Sequence, residues 1–437
     1  MKKSLLAVAA IGAFASAAQA QSSVTVYGIL DVGYIGSNAR EGSVGTAAQG
    51  NQVKKIQKSA FGQSGEQTSR LGFKGTEDLG GGASAFFTVE LGLTPQNSEL
   101  SGGTAEDRVQ KTTNASGSAV DNRQSFVGLK KNGIGQFAFG RQYTPVFNIG
   151  AATSPGQYNN VIGDLVYLGS SSVYSSGSTV NGNNNGLGFT NRASNALTVQ
   201  SDNFAGFVVG GMYALNNTNQ TEVAAPGTYT ASAGGNTNWN GWGLNGSFTW
   251  QKLYIGAAYQ SFKTQYNTGV AGAATIVNLG SPSATSGQSI TAASPAAALF
   301  SAAQISDKQT LVGATYDFGI LKAYAQWVGR KVQNDYATST AVGAGEQLNR
   351  NAQQIGVRSY ITPTIETWAS VGNGKVKATY NAATSNFFGY QLGSNYYLSK
   401  RTNLYAIYGQ QQTSSTSANA GAGMGANQYA VGVRHTF

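Results

Sequence analysis

The chain has 437 residues, and only 11% of them are charged, against about 25% in an ordinary soluble domain. Its mean hydropathy of −0.20 excludes a bundle of membrane helices, whereas a barrel that is apolar on one face and polar on the other averages to such a value. The net charge of +10 comes from basic residues spread along the chain, which argues against a nucleic-acid-binding stripe, and the absence of cysteine excludes disulfides and Cys-based metal or nucleophile sites.

The first twenty residues have the pattern of a cleaved secretory signal. Lys2 and Lys3 precede an apolar run from Leu5 to Ala18, and Ala18-Gln19-Ala20 supplies a small-residue cleavage site. The alternative is a retained membrane anchor, but the run is shorter than the ~20 residues of a spanning helix. We therefore predict a signal peptide at 1–20 and one domain at 21–437.

Apolar and polar residues alternate along the first candidate strand. Between Val24 and Tyr34 the even positions are apolar apart from Gly28, and the odd positions include Asp31. A period of two places these sets on opposite faces of a strand. The same alternation recurs at 68–78, where Lys74 takes the polar face, and at 426–437, where Arg434 does. We expect Asp31, Lys74 and Arg434 to face the lumen of a barrel.

Segments of this kind occur about sixteen times, an even number as expected of a bacterial outer-membrane barrel. The predicted segments are 22–37, 68–78, 83–92, 122–132, 135–142, 191–201, 204–214, 240–250, 252–262, 306–318, 320–332, 350–361, 364–375, 387–398, 401–412 and 426–437. The basic cluster Lys54, Lys55 and Lys58 falls between the first two and is predicted to be a solvated loop.

Short and long connections alternate between these segments, which is the asymmetry of an outer-membrane barrel. A sheet in hydrocarbon must close so that every backbone group is paired. Trp242 and Trp250 at the two ends of one strand are typical of aromatic girdles. The alternative is a soluble β-sandwich, whose apolar face would be packed inside. We predict an all-β, transmembrane antiparallel barrel.

The stretch from Tyr143 to Thr190 has neither a strand nor a helix period, and its only charge is Asp164. An irregular segment of this length inside a compact protein indicates a functional or disordered loop. We predict that this third long loop folds into the barrel mouth and narrows the pore.

Three arginines open their segments from the long-loop side: Arg70, Arg123 and Arg192. We predict that they gather on one wall of the constriction, with Asp164 and Glu90 opposing them. Opposite charges across a narrow gap would set up a transverse field. The alternative is that the arginines are ordinary lumen residues at scattered depths.

Several motifs, in this order, resemble the Gram-negative general porins, closest to the betaproteobacterial type. They are SSVTVYGILDVGY at 22–34, SRLGFKGTEDLGGGASAFFTVEL at 69–91, NRQSFVGLKKNGIGQFAFGRQY at 122–143 and the terminal VRHTF. The resemblance implies sixteen strands, a homotrimer and a third loop in the pore. It also implies that Arg70, Arg123 and Arg192 are the constriction arginines, and that Phe437 is the terminal aromatic read by the outer-membrane assembly machinery.

The third loop departs from the family pattern, because it lacks the Pro-Glu-Phe-Gly-Gly motif and has Asp164 alone. An excess of arginine predicts an anion preference. We therefore expect an outer-membrane porin for passive diffusion of small hydrophilic solutes and ions, in contact with outer-membrane lipid, without cofactor, metal or nucleic acid.

Three rival functions remain. An outer-membrane enzyme needs a base, and the only histidine, His435, has lipid-facing parity, so we expect no enzymatic activity. A substrate-specific channel would use an aromatic track such as Tyr27, Tyr143 and Tyr158. An adhesin would show no conductance.

Overall fold

A computed structural model describes residues 23–41, 54–95, 100–101, 120–157, 159–164, 192–220, 235–268, 302–337, 347–379, 384–415 and 424–437. Within these ranges seventeen strands form one antiparallel sheet. The strands are β1 (Ser23–Glu41), β2 (Lys54–Gln63), β3 (Arg70–Gly80), β4 (Ala83–Gly92), β5 (Asp121–Lys131), β6 (Gly135–Tyr143), β7 (Arg192–Ser201), β8 (Phe207–Gln220), β9 (Gly235–Trp250), β10 (Leu253–Thr268), β11 (Ala302–Asp317), β12 (Lys322–Ala337), β13 (Gln347–Thr362), β14 (Ile365–Ala378), β15 (Thr384–Tyr397), β16 (Thr402–Ser415) and β17 (Met424–Thr436). The signal peptide predicted at 1–20 lies outside the described residues.

The sheet closes on itself into a barrel that has sixteen strand positions around its circumference. β1 pairs with β17 along most of its length. On its other side the C-terminal half of β1 pairs with β2 and the N-terminal half pairs with β3. These two strands therefore occupy one strand position of the barrel. The predicted sixteen-stranded barrel is confirmed, because the sheet closes through the pairing of β1 with β17 and with β3.

The prediction of a loop at Lys54, Lys55 and Lys58 is wrong, because all three lie on β2. β2 continues the barrel wall beyond β3 after a break at residues 64–69, where Ser64 has a φ of 61°. Lysine and glutamine have low strand propensity, and cross-strand pairing with β1 overrides it here.

The apolar face of the sheet points outward, as the alternation predicts. Val24, Val26 and Leu30 are 65%, 52% and 38% exposed, while Asp31 on the opposite face is fully buried. A soluble sandwich would bury the apolar face, so that alternative is wrong. Among the described residues, no helix is long and apolar enough to cross a bilayer.

Connections at one end of the barrel are short, such as residues 81–82, 132–134 and 251–252, and those at the other end are long, such as 93–120 and 269–301. Strands such as β9 and β11 begin four or five residues earlier than predicted on the long-loop side. Backbone pairing continues there although the side chains no longer alternate, which is why periodicity misses these ends.

Candidate functional site

The chain enters the barrel directly after β6, through the helix α1 (Pro145–Thr153). Thr144 Oγ1 accepts a hydrogen bond from the Phe147 backbone N–H at 3.2 Å, and Pro145 stands in the first turn. A threonine cap and an early proline both favour helix initiation. The helix packs against the inner faces of β8 to β12.

Glycine in the wall makes room for α1. A Cβ atom on Gly256 would lie 2.8 Å from Ile149 Cγ2, so the helix seats where the strand has no side chain. The Gln326 amide Nε2 donates to the Gly150 carbonyl at 2.6 Å and to Thr153 Oγ1 at 2.7 Å. These bonds fix the end of the helix to β12.

After α1 the chain follows the wall from β13 to β17. Asn159 Nδ2 donates to Gln391 Oε1 at 2.5 Å, and Gln391 Nε2 donates to the Val161 carbonyl at 2.9 Å. The Ile162 backbone N–H donates to Gln428 Oε1 at 3.0 Å. Buried amide side chains on the strands thus satisfy a backbone that lies away from water.

At Asn160 the inward segment reaches the break between β2 and β3. Asn160 Nδ2 donates to the Ser64 carbonyl at 2.6 Å, and the Asn160 N–H donates to the Gly65 carbonyl at 3.2 Å. The prediction that the third loop folds into the barrel is therefore confirmed for residues 144–157 and 159–164. Tyr158 and residues 165–190 lie outside the described residues.

The inward segment does not cover the part of the barrel wall formed by β3 to β7. The three predicted arginines lie on this uncovered part. Arg123 Nε donates to Glu90 Oε1 at 2.7 Å, and Arg70 Nη1 lies 3.9 Å from Glu90 Oε2. Tyr27 also donates to Glu90, at 3.1 Å. We call Arg70, Arg123 and Arg192 the arginine wall.

The prediction that Glu90 opposes these arginines is wrong. β4 lies between β3 and β5 in the sheet, so Glu90 stands among the arginines on the same wall. It is 3% exposed, and burial of a carboxylate requires the compensation that Arg123 and Arg70 provide.

Tyr143 contacts both Arg123 and Arg192 of the arginine wall. Arg123 Nη2 donates to its hydroxyl at 3.3 Å, and the Arg192 guanidinium lies 5.1 Å from its ring centroid. The opposite face of the ring stacks on Phe147 of α1, at 4.2 Å and 5°. One aromatic ring thus joins the arginine wall to the inward helix.

Asp164 lies on the other side of the barrel, beside β13. Ser154 Oγ donates to Asp164 Oδ2 at 2.8 Å, and Arg350 of β13 is close enough for a favourable charge interaction. The charge partner of Asp164 is therefore Arg350, which differs from the predicted pairing with the arginine wall. The reason is that the segment stays on the wall opposite β3 to β7.

The other predicted lumen charges have unequal access to water. Asp31 faces inward but is covered by residues 64–69, accepting bonds from the Glu66 and Gln67 N–H groups and from the Tyr405 hydroxyl, at 2.9, 2.6 and 2.6 Å. Asp31 thus lies on the predicted inner face, but the sequence did not indicate that residues 64–69 cover it, because the break between β2 and β3 has no periodic pattern.

Arg434 and Lys74 also face inward. Arg434 Nη1 lies 3.2 Å from Glu66 Oε1, so its charge is compensated. Lys74 is exposed, with Nζ 5.5 Å from the Tyr27 ring centroid. Of these two residues, only Lys74 is exposed to the lumen.

A second set of inward charges on β11 to β14 was missed. It consists of two buried ion pairs, Arg330 with Asp307 and Arg358 with Glu366, and of Arg350. Arg350 and Arg358 share the inner parity of β13, opposite the exposed Ile355 and Val357. The alternation of charged and apolar residues along β13 is the pattern from which Arg350 and Arg358 could have been predicted to face inward.

The charges at the arginine wall do not balance. Arg70 and Arg123 contact the carboxylate of Glu90, whereas Arg192 contacts Tyr143, so the three guanidinium groups exceed the one carboxylate in contact with them by two charges. Arg192 Nε and Nη2 have no hydrogen-bond acceptor among the described residues. A closed barrel with an apolar exterior, a charged interior and a loop folded inside defines a membrane pore.

Comparison with known proteins gives the family. A model of the Gram-negative porin family matches residues 7–416, and the chain belongs to this family. It is 28% identical to an outer membrane porin protein of Bordetella pertussis and 28% identical to outer membrane porin protein 32 of Delftia acidovorans, each over the full length of both chains. The solved anion-selective porin from Comamonas acidovorans superposes with a TM-score of 0.60 at 20% identity, covering 95% of this chain and all of that one.

The protein is therefore an outer-membrane porin, a water-filled channel for passive diffusion of small hydrophilic solutes. Family and fold are those of channels rather than enzymes. His435 is exposed on the outward face, where its Nδ1 lies 2.9 Å from Thr402 Oγ1.

Proposed function

We propose that this porin passes anions in preference to cations. The observation that carries the proposal is the excess of two positive charges at the arginine wall, where the inward segment leaves the lumen open. Low-dielectric walls focus the field of such charges and raise the local concentration of counter-ions. The description of the Comamonas acidovorans structure as anion-selective agrees with this assignment.

The ion pairs of two inner arginines outside the arginine wall also support the proposal. Arg330 makes a 2.6 Å contact with Asp307, and Arg358 makes a 2.8 Å contact with Glu366. A paired charge contributes little field at a distance, so selectivity depends on the arginine wall.

The test is the zero-current potential of the purified porin in a planar bilayer under a KCl gradient. We expect an anion-selective sign, and we expect Arg123→Ala with Arg192→Ala to lower the anion-to-cation permeability ratio by roughly tenfold. Lys252→Ala, on an exposed short turn far from the arginine wall, is the control. A cation-selective wild type, or an unchanged ratio in the double variant, would refute the proposal.

We further propose that the functional unit is a homotrimer whose subunits meet near Val24–Tyr34 and Tyr429–Phe437. The outward residues of β1 and β17, including Val24, Val26 and Val431, are more than half exposed and apolar. Light scattering of the detergent-solubilised porin gives the oligomeric state, and Val26→Lys with Val431→Lys should lower it. A monomeric wild type would contradict this assignment.

Phe437 is proposed as the residue that the outer-membrane assembly machinery reads. It is 42% exposed on the outward face, and its carbonyl accepts a bond from the Gly28 N–H at 3.0 Å across the β1–β17 seam. Phe437→Ala should reduce the porin recovered from outer membranes several-fold without changing the conductance of refolded protein. Equal recovery of variant and wild type would argue against this role.

A further inference from the structure

Residues 64–69 interrupt the barrel wall between β2 and β3, and four of these six residues are buried. Hydrogen bonds close the segment at its base. The Ser69 N–H donates to Ser64 Oγ at 2.9 Å, and the Ser64 N–H donates to the Asp31 carbonyl at 2.8 Å. The Asp31 N–H in turn donates to Ser69 Oγ at 3.0 Å. We call residues 64–69 the inner bridge.

Glu66 attaches the inner bridge to the inner face of β15, β16 and β17. Glu66 Oε1 accepts a hydrogen bond from Asn395 Nδ2 at 2.8 Å, and Oε2 accepts one from Asn403 Nδ2 at 2.9 Å. Arg434 Nη1 lies 3.2 Å from Glu66 Oε1. Charge-assisted hydrogen bonds to both oxygens hold a buried carboxylate in one position. The inner bridge is therefore fixed at its base to β1 and at Glu66 to three further strands.

The inner bridge also contacts both borders of the constriction. On one side Arg70 Nε of the arginine wall donates to the Thr68 carbonyl at 2.9 Å. On the other side Asn160 Nδ2 of the inward segment donates to the Ser64 carbonyl at 2.6 Å, and the Asn160 N–H donates to the Gly65 carbonyl at 3.2 Å. Because a guanidinium group is planar, a bond to its Nε restricts the orientation of the whole group.

Among the described residues, these contacts complete a ring around the part of the lumen beside the arginine wall. The arginine wall and the inward segment meet at two junctions. At the first, Tyr143 stacks on Phe147 of α1. At the second, the inner bridge joins Arg70 to Asn160. The two borders of the constriction therefore cannot move apart unless one of these junctions breaks.

We propose that the inner bridge sets the size limit of the channel and that Glu66 positions the inner bridge. Glu66 is 5% exposed, so it acts through the backbone carbonyls that hold Arg70 and Asn160. Release of either end of the inner bridge opens the second junction, and the pore becomes wider there. Pore width selects solutes by size. The size limit is separate from the anion preference proposed above, because neutral solutes measure it.

The test is the entry of neutral polyethylene glycols of graded size into the refolded porin, measured as the reduction of single-channel conductance. The smallest polymer that leaves the conductance unchanged gives the size limit. We expect Glu66→Ala, which frees the inner bridge from β15 to β17, to shift this limit to a larger polymer. We expect the same of Asn160→Ala, which removes no buried charge and so tests the junction even if Glu66→Ala does not refold.

Asp307→Ala is the matched control. It also removes a buried carboxylate from an ion pair, with Arg330, but it lies on β11, across the barrel from β2 and β3. This variant should keep the wild-type size limit. An unchanged limit in Asn160→Ala or in refolded Glu66→Ala, or an equal shift in Asp307→Ala, would overturn the proposal.

A double-mutant cycle separates positioning from a general loss of stability. Glu66→Ala and Asn160→Ala act on one junction, so the double variant should shift the size limit no further than the larger of the two single shifts. Additive shifts would overturn the inner bridge as the common link. Glu66→Gln keeps an acceptor oxygen for one asparagine and should recover part of the wild-type limit. A limit equal to that of Glu66→Ala would overturn positioning by these hydrogen bonds.

Discussion

Glu90 is the residue on which the charge of the constriction most depends. It is the only carboxylate in contact with the arginine wall among the described residues, and Arg123 and Arg70 both contact it. Removing its charge leaves the three guanidinium groups without a carboxylate in contact, and two of them lie close together around Tyr143.

We expect Glu90→Gln to increase the anion preference and to lower stability. The field gains one positive charge, while the buried Arg123 loses its ion-pair partner at a cost of about 3 kcal/mol. The zero-current potential and the thermal unfolding of the refolded porin measure the two effects. A shift of the potential toward cations would show that the arginine wall does not set selectivity.

Tyr143 is the residue that orients Arg192 and joins it to α1. Tyr143→Phe keeps the stack on Phe147 and the contact with Arg192, and removes only the hydroxyl that Arg123 contacts. Tyr143→Leu removes the ring. We expect the leucine variant to lose more anion preference than the phenylalanine variant, by up to about fivefold in permeability ratio, because a cation–π contact of this kind contributes about 1 kcal/mol. Equal effects would mean that the hydroxyl, rather than the ring, positions the arginines.

At the scale of elements, the inward segment depends on glycines in the wall. Gly409 of β16 lies against the Ile162 carbonyl, so close that a Cβ atom could not be added without moving residues 161–164. Gly246 of β9 is a matched control, since its nearest neighbour for an added Cβ is Val209 Cγ1 at 4.0 Å.

We expect Gly409→Ala to displace the inward segment and to raise single-channel conductance or its noise, with a loss of stability of about 1–3 kcal/mol. Gly246→Ala should behave as wild type. Identical conductance traces for the two variants would place the segment somewhere other than against β16.

Whether an element could be predicted from the sequence depends on whether its polar and apolar side chains alternate. In β17 the even positions from 426 to 436 are more buried than the odd positions beside them, so alternation was sufficient to predict this strand. β2 and residues 64–69 were missed, because Glu66 and its neighbours are held by a network to Asn395, Asn403 and Arg434, more than 300 residues away. No local pattern indicates such contacts.

At the scale of the whole molecule, closure and sidedness were predictable because the solvent dictates them. Hydrocarbon requires a closed sheet, and water inside requires a polar face. The position of the arginine wall was predictable as a set, from the starts of three segments and from the family resemblance. The sequence could not predict which wall of the barrel Glu90 and Asp164 occupy, because their positions depend on strand order and on the path of α1 around the interior.

The absence of native cysteine allows the most direct test of the central claim, which is that positive charge at the arginine wall selects anions. Arg70→Cys introduces one thiol at a position of the wall that is more open than Arg123, since the arginine side chains are 19% and 4% exposed. The measurement is the zero-current potential of this variant before and after modification with a cationic or an anionic thiosulfonate. We predict that the cationic reagent restores the wild-type anion preference and that the anionic reagent shifts the potential toward cations. If neither reagent moves the potential of a channel shown by mass to be fully modified, the charge of the arginine wall does not govern permeation.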